Sequence, residues 1–343
     1  MTALASRSNW AEPLVEEVSP GVHRIPLPLP MDGLHAVNVY ALQDGDGLLL
    51  VDGGWALDAS RARLDRALAA LGADVADVRR MLVTHAHRDH YTQAVALRRD
   101  TGAPISLGSG ERDVLRLLSD PSRPNTGRWA EQLRAAGSPV LAEQIGGLLK
   151  ETATQAQWWE QPDRWLDGEE IHDLGDRQLH TVATPGHTSG HLVFVDDAAG
   201  LLFAGDHVLP HITPSIGFEA AGGPLPLGAY LHSLAKVRAL PDARLLPAHG
   251  PVTESAHARI DELLDHHRTR LDDVAAAVAA GASSATAVAA RLGWTSRGRA
   301  LDSLDPVNQV FAILETIAHL DLLLVRDRLS AEVVDGVRHF AAR

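Results

Sequence analysis

Thr84-His85-Ala86-His87-Arg88-Asp89-His90 is the stretch that decides how this chain reads. It sets three imidazoles and one carboxylate directly after the apolar run Met81-Leu82-Val83. Imidazole nitrogen and carboxylate oxygen are the ligands that borderline divalent metals such as zinc take. A strand that stops and turns here aims His85 and His87 at one point, and Asp89 and His90 at a second point nearby. That is the layout of a two-metal site, and such sites usually carry out hydrolysis.

The chain has 18 histidines in 343 residues, so some clustering arises by chance, and an isolated H-x-H pair is more often surface or structural. Three further segments change the balance, each bringing a ligand-type residue to the end of an apolar run. Thr184-Pro185-Gly186-His187-Thr188-Ser189-Gly190-His191 follows Leu179-His180-Thr181-Val182. Its proline and glycines force a tight turn and let the backbone approach whatever His187 binds. Leu201-Leu202-Phe203-Ala204-Gly205-Asp206 ends on a carboxylate, which can bridge two cations as a single neutral imidazole nitrogen cannot. Leu245-Leu246-Pro247-Ala248-His249-Gly250-Pro251 is again strand, turn and histidine.

In these motifs the chain resembles the metallo-β-lactamase superfamily. The likeness takes in His85-x-His87-x-Asp89-His90, His187, Asp206 and His249, together with the early strand and turn Leu48-Leu49-Leu50-Val51-Asp52-Gly53-Gly54. It implies an α/β fold, the αββα sandwich, with two divalent metal ions at one edge. It implies that His85, His87 and His187 hold the first ion and Asp89, His90 and His249 the second. Asp206 would bridge them with a water or hydroxide opposite, and Asp89 or Asp206 would manage the proton. Asp52 would orient a ligand histidine through its other ring nitrogen. Zinc is the expected metal; an N/O ligand set also admits iron and manganese. One departure stands out. Many relatives follow the Asp-His pair with a small residue and two glycines, whereas this chain has Tyr91-Thr92-Gln93-Ala94. These larger side chains would narrow the mouth of the site, with Tyr91 either turning its phenol toward substrate or packing along the helix.

Composition bounds the rest. A chain of 343 residues suggests two domains, and 45% hydrophobic residues suffice for a full core. There is no cysteine, which excludes thiolate ligands, disulfides and a cysteine nucleophile, and fits a reducing compartment. Met1 to Trp10 has no apolar stretch of export-signal length. No run elsewhere reads as the ~18 apolar residues of a membrane span. A cytoplasmic protein with no membrane partner is expected. The formal charge, 31 − 44 = −13, repels polyanions and counts against nucleic acid as a partner.

Along the chain, residues 13–255 read as the metallo-β-lactamase-like domain. Short strands are expected at 21–25, 37–42 and 48–51, and Pro26-Leu27-Pro28-Leu29-Pro30 reads as a stiff extended connection. A helix over 58–71, a strand over 81–83, a helix over 91–101 and a strand around 105–107 follow. Residues 110–166 break the pattern as a helical insertion holding Trp129, Trp158, Trp159 and Trp165. It reads as a lid over the metals, with Trp158 and Trp159 offered to an apolar substrate portion, or as rings that glue the insertion to the body. Strands resume at 178–183, 191–196 and 201–204. The rigid loop after Asp206 brings His207 and His211 near the metals, His211 as a candidate substrate contact. Residues 256–343 read as a helical tail, with a long helix beginning at His266-His267 and another over 307–325. Ala285 to Trp294 is similar to half of a helix-turn-helix, so the tail resembles the winged-helix-like additions of some metallo-β-lactamase-fold hydrolases. Residues 271–343 hold 7 arginines against 9 acids, which favours a structural or homodimerising role over DNA binding.

The expected function is metal-dependent hydrolysis by a metal-bridging hydroxide, first of all of a thioester or ester with an apolar acyl part, such as an acyl-CoA or small-thiol conjugate. The alternatives are a phosphodiesterase or ribonuclease, a lactonase or β-lactam hydrolase, and a non-enzymatic DNA-binding regulator. No G-x-S-x-G elbow offers a serine nucleophile instead.

Overall fold

The computed structural model describes residues 9–30, 34–120, 122, 126–148, 156–295 and 297–343. Residues 1–8 of the segment read for an export signal and parts of the insertion (121, 123–125 and 149–155) lie outside the described residues.

The continuous apolar runs of the sequence become strands buried on both faces. The first sheet has seven strands in chain order: β1 (Glu16–Ser19), β2 (Val22–Pro28), β3 (Ala36–Asp44), β4 (Gly47–Val51), β5 (Val78–Leu82), β6 (Ile105–Gly108) and β7 (Arg164–Leu166). β1 to β4 pair antiparallel, and β4 to β7 pair parallel. The second sheet holds β8 (Ile171–Asp173), β9 (Gln178–Ala183), β10 (Leu192–Asp196), β11 (Leu201–Gly205) and β12 (Arg244–Pro247), in the spatial order β12-β11-β10-β9-β8.

Strand periodicity divides each run between two cores. Leu49, Val51, Leu82, Leu192, Phe194, Leu201, Phe203 and Leu246 meet between the sheets. Their neighbours Leu48, Leu50, Met81, Val193, Val195, Leu202 and Leu245 face outward into the larger helix-covered core. The helices on the first sheet are α1 (Asp58–Ala70) and α2 (Arg88–Thr101). α1 buries Ser60, Leu64, Ala67 and Leu68 on one face. With helices outside and two sheets within, the expected αββα sandwich is present.

Two local expectations change. Pro26 and Pro28 belong to β2 rather than to a connection: they pair with Asn38 and Ala36. They sit past the end of β1, whose pairing stops at Arg24, so one side of β2 needs no N–H there. The helix expected to begin at His266 spans Ala256–Ala279 instead, capped where the Ser255 side chain accepts the Ala258 N–H.

The insertion forms α3 (Arg112–Leu118), α4 (Gly127–Ala135) and α5 (Pro139–Leu148). After it come α6 (Pro226–Arg238), α7 (Ala256–Ala279), α8 (Ala285–Ala289) and α9 (Pro306–Val325), then a hairpin of β13 (Leu329–Val334) and β14 (Val337–Ala342). The tail is thus a helical region closed by a small sheet, an order of elements too common to assign a winged helix. α9 alone among the described helices is long and apolar enough to cross a membrane, contrary to the sequence expectation, and 61% of its apolar window is buried in the fold. It packs against α4, α5, α6 and α7. Two aromatic joints tie tail to body. Phe218 lies between Trp129 of α4 and Phe311 of α9, with ring centroids 4.4 Å away on each side. Tyr230 of α6 meets His267 of α7 at 5.5 Å, and His267 Nδ1 lies 3.2 Å from His319 Nε2 of α9.

Candidate metal centre

β4, β5, β11 and β12 all end at one edge of the sandwich, and the β9–β10 turn lies at the same edge. The motif after β5 splits there by backbone geometry. His85 lies outside any helix, and His87 stands extended at the N-cap of α2 with φ −91° and ψ 155°. Asp89 and His90 fall in the first helical turn, with the His90 N–H donating to the His87 carbonyl at 3.1 Å. Residues before and within the helix therefore point to two different places.

Two groups of side chains result. His85, His87, His187 and Asp206 bring one ligand atom each to within 4.8 Å of one another, as do Asp89, His90 and His249. Asp206 touches both: Oδ2 is 3.5 Å from His187 Nε2, while Oδ1 is 3.6 Å from His90 Nε2 and 3.4 Å from His249 Nε2. Asp89 Oδ2 lies 3.4 Å from His249 Nε2.

The ring nitrogens turned away from the groups are engaged by the protein. Asp52 accepts from His90 Nδ1 at 2.8 Å, the Ser215 carbonyl from His187 Nδ1 at 2.8 Å, and the Ala36 carbonyl from His249 Nδ1 at 2.8 Å. His85 Nδ1 meets Thr84 Oγ1 at 3.0 Å. The nitrogens turned inward are left over. His85 Nε2, His90 Nε2, His249 Nε2 and Asp206 Oδ1 are buried without a hydrogen-bond partner. Buried polar atoms are rarely orphaned, and four converging at one edge have the donor chemistry of a divalent metal centre.

Electrostatics agrees. Burial drives His85 well below the usual histidine value and His87 down to about 3, with neighbouring imidazoles acting in the same direction. Burial also opposes charge on Asp89, yet His90 and His249 hold its carboxyl far below the ordinary range. Burial disfavours charging His90, but Asp52, Asp89 and Asp206 outweigh it and push the imidazole up to about 10.

Asp52 takes up the place expected behind His90. It also accepts from the Thr84 N–H at 2.8 Å and faces the Thr84 hydroxyl, at a left-handed φ of 62°. The turn after it lies flush on α2, since a Cβ on Gly53 would come 2.5 Å from the Ala94 nitrogen.

The proposed substrate contacts fare differently. Tyr91 is fully buried, donates its phenol to the Glu160 carbonyl at 2.6 Å and stacks on Trp159, ring centroids 6.4 Å apart. Trp158 carries the Arg99 guanidinium at 4.8 Å, and Trp165 that of Arg112 at 4.5 Å. Trp158 and Trp159 fasten the insertion's return segment to α2, and Trp165 fastens β7 to α3, as large apolar rings do when a neighbouring surface needs covering. His211 is exposed and belongs to neither ligand group. Tyr91→Phe is accordingly expected to lower unfolding free energy by about 1 kcal/mol in a denaturant titration, the worth of one hydrogen bond, with KM for any turned-over substrate unchanged.

Two supporting residues escaped the sequence reading. His191 is buried, pairs with Thr184 Oγ1 at 2.9 Å and accepts the Asp206 N–H on Nε2 at 3.1 Å, so it fixes the backbone of the shared carboxylate. Its signal was a histidine opening an all-apolar strand. Glu111 lies behind the histidine loops with no motif around it.

The comparisons with known proteins agree with this architecture. The profile of the metallo-beta-lactamase superfamily matches residues 32–249, more than half of the chain. Lactamase-like protein adaB of Aspergillus niger is 26% identical over 303 residues, covering 87% of this chain and 75% of its own. Probable metallo-hydrolase YqjP of Bacillus subtilis is 24% identical, covering 73% of this chain and 77% of its own. Lactamase-like protein nscB of Arthroderma gypseum is 36% identical, but the match spans only 30% of either chain. The metallo-beta-lactamase family protein TTHA1429 of Thermus thermophilus superposes with a TM-score of 0.80 at 27% identity, over 95% of this chain and 100% of its own. A beta-lactamase domain protein of Burkholderia ambifaria gives 0.77 at 27% identity, over 96% and 95%. The paired His/Asp groups, the sandwich that carries them and the match across residues 32–249 make this chain a member of the metallo-β-lactamase superfamily, a metal-dependent hydrolase.

Proposed function

We propose that the protein hydrolyses a thioester or ester with an apolar acyl part, using two divalent ions, zinc in the first instance. In this reading His85, His87, His187 and Asp206 hold one ion; Asp89, His90 and His249, with the other oxygen of Asp206, hold the second. Such a pair, when bound, lowers the pKa of water and polarises a carbonyl. The chain's own part is to fix the ligands: Asp52, Thr84, Ser215 and Ala36 hold the imidazoles by their far nitrogens, and His191 holds Asp206 by its N–H.

Supporting the substrate class is a cavity of about 370 Å³ next to the His187 turn, whose walls include none of the seven side chains of the metal groups. It is lined by Pro185, Gly186, Thr188, Ser189, Glu219 and the run from Gly223 to Pro226, with Ala229. Its walls are mainly apolar, which suits an acyl chain. The arginine–acid balance of the tail supports a structural role for it, and the net charge of −13 supports a small molecule rather than nucleic acid as partner.

The test is a panel on metal-loaded protein: acyl-CoAs, simple acyl thioesters, lactones, a chromogenic β-lactam and a phosphodiester. Turnover rising with acyl length is expected; turnover confined to the phosphodiester or the β-lactam would exclude this substrate class. His87→Ala is expected to abolish that turnover and to lower bound metal below two ions per chain by elemental analysis. Full metal content in the variant would refute the ligand assignment.

A further inference from the structure

We propose that Glu111 is a positioning residue for the first ion, a buried carboxyl that clasps the two histidine loops, one from each sheet, to one another. The proposal rests on the ligand assignment above and goes beyond it, since Glu111 belongs to neither ligand group.

The first group draws its ligands from distant parts of the chain. His85 and His87 stand on the loop after β5, and His187 on the turn after β9. Something must hold these loops at a fixed separation, because a misplaced imidazole weakens a site even when its chemistry is intact. One tie is backbone: the Leu192 N–H donates to the Thr84 carbonyl at 2.8 Å. Glu111 supplies another. It follows β6 in a short 3-10 turn, Ser109–Glu111, and is completely buried. Its Oε1 accepts the hydroxyl of Thr188, next to His187, at 2.5 Å. The N–H groups of Gly190 and of Ala86, the residue between His85 and His87, lie close enough to favour charge on this carboxyl, though burial outweighs them and pushes it up. One side chain therefore addresses both loops.

The backbone is shaped for that approach. A Cβ on Gly108 would overlap the Gly190 carbonyl; one on Gly110 would come 2.8 Å from the Ser189 carbonyl carbon; one on Gly190 would come 2.6 Å from Glu111 Cγ. Three glycines at one crossing let two backbones touch, which packing of ordinary side chains does not require. On the opposite side of the turn, Glu219 accepts from the Ser189 N–H at 2.9 Å and from its hydroxyl at 2.7 Å. The residues after His187 are thus gripped by two carboxyl groups. Burying a second acid close to Glu219 is costly, and Oε2 of Glu111 has no hydrogen-bond partner, so stability alone gives no reason to place a glutamate here.

The test measures metal directly, on the full-length protein dialysed against a competing chelator. The wild type is expected to retain two zinc ions. Glu111→Ala is expected to weaken one of them by about 10- to 100-fold, the usual loss when a partner of a ligand is removed. Cobalt substituted into that variant is expected to show an altered d–d spectrum for one ion of the pair. Glu111→Gln, whose amide oxygen still accepts from Thr188, is expected to restore most of the affinity and the spectrum. Should Glu111→Ala fail to fold, Thr188→Val removes only the hydroxyl; it is expected to weaken the same ion by about 10-fold or more while the metal-free protein stays folded with a slightly lowered melting temperature. Two ions held with wild-type affinity in Glu111→Ala or in Thr188→Val would overturn the proposal and leave the ligand assignment standing. Equal loss in the Ala and Gln variants would overturn it too. A wild type that binds no metal would sink the ligand assignment, and this proposal with it.

Discussion

Asp206→Ala is expected to strip both ions from the protein. Every other ligand candidate belongs to one group, but Asp206 reaches His187 with Oδ2 and both His90 and His249 with Oδ1. Its carboxyl is buried; burial opposes its charge, and His249, His90 and His187 override that and keep it ionised. Removing it deletes a ligand from each group and the negative charge that offsets neighbouring cations. Loss of a shared ligand should exceed the ~10- to 100-fold cost of removing a ligand's hydrogen-bond partner. Elemental analysis after dialysis is expected to find less than one ion per chain and turnover at background. His87→Ala, by contrast, leaves Asp89, His90, His249 and Asp206 intact, so its expected product is a protein with one ion. If Asp206→Ala kept one full equivalent, Asp206 would serve a single ion and the bridging geometry would be wrong.

Gly186→Ala is expected to be among the most damaging single-methyl changes at the described residues. Gly186 has φ 143°, a region open to glycine, and its missing Cβ would fall 2.5 Å from Tyr230 Cβ and 2.6 Å from the Tyr230 nitrogen. The obstacle is helix backbone, which cannot swing aside as a side chain does. Tyr230 is further fixed by its phenol, which donates to the His207 carbonyl at 3.0 Å, and Ser233 on the next turn donates to the Pro185 carbonyl at 2.8 Å. Overpacking a tight core costs about 1–3 kcal/mol, and the strained dihedral adds to it. A loss of about 3 kcal/mol or more in a urea titration is expected, with metal content falling in parallel because His187 is the next residue. A denaturation midpoint equal to wild type would show that α6 yields and that the turn is not braced as described.

Much of the candidate centre was legible because the side chains it gathers obey strand-end rules. His85, His87, His187, Asp206 and His249 each follow an apolar run by a few residues, and strands end where those runs end. Asp52 was legible for the same reason, through Leu48 to Val51. What sequence could not supply was direction. Tyr91 is adjacent to His90, yet along α2 its side chain points to the far side, onto Trp159. Trp158 and Trp159 have the composition of a substrate wall but return beside Arg99 and Tyr91. Glu111 accepts from Thr188, 77 positions further along the chain, and no local pattern marks such a partner. The start of α7 was misplaced because the apolar positions Ile260 and Leu263 lie before the conspicuous His266-His267 pair, and the Ser255 cap went unread.

The joints at Phe218 and Tyr230 bear on how the protein is made. All seven side chains of the metal groups have left the ribosome once residue 249 is out, but the partners of those joints, His267 on α7 and Phe311 on α9, have not. Ser215, whose carbonyl orients His187, lies three positions before Phe218. During translation the seven side chains are therefore all made before the helices that pack behind Phe218 and Tyr230 exist, so the metal groups can gather before the joints behind them close.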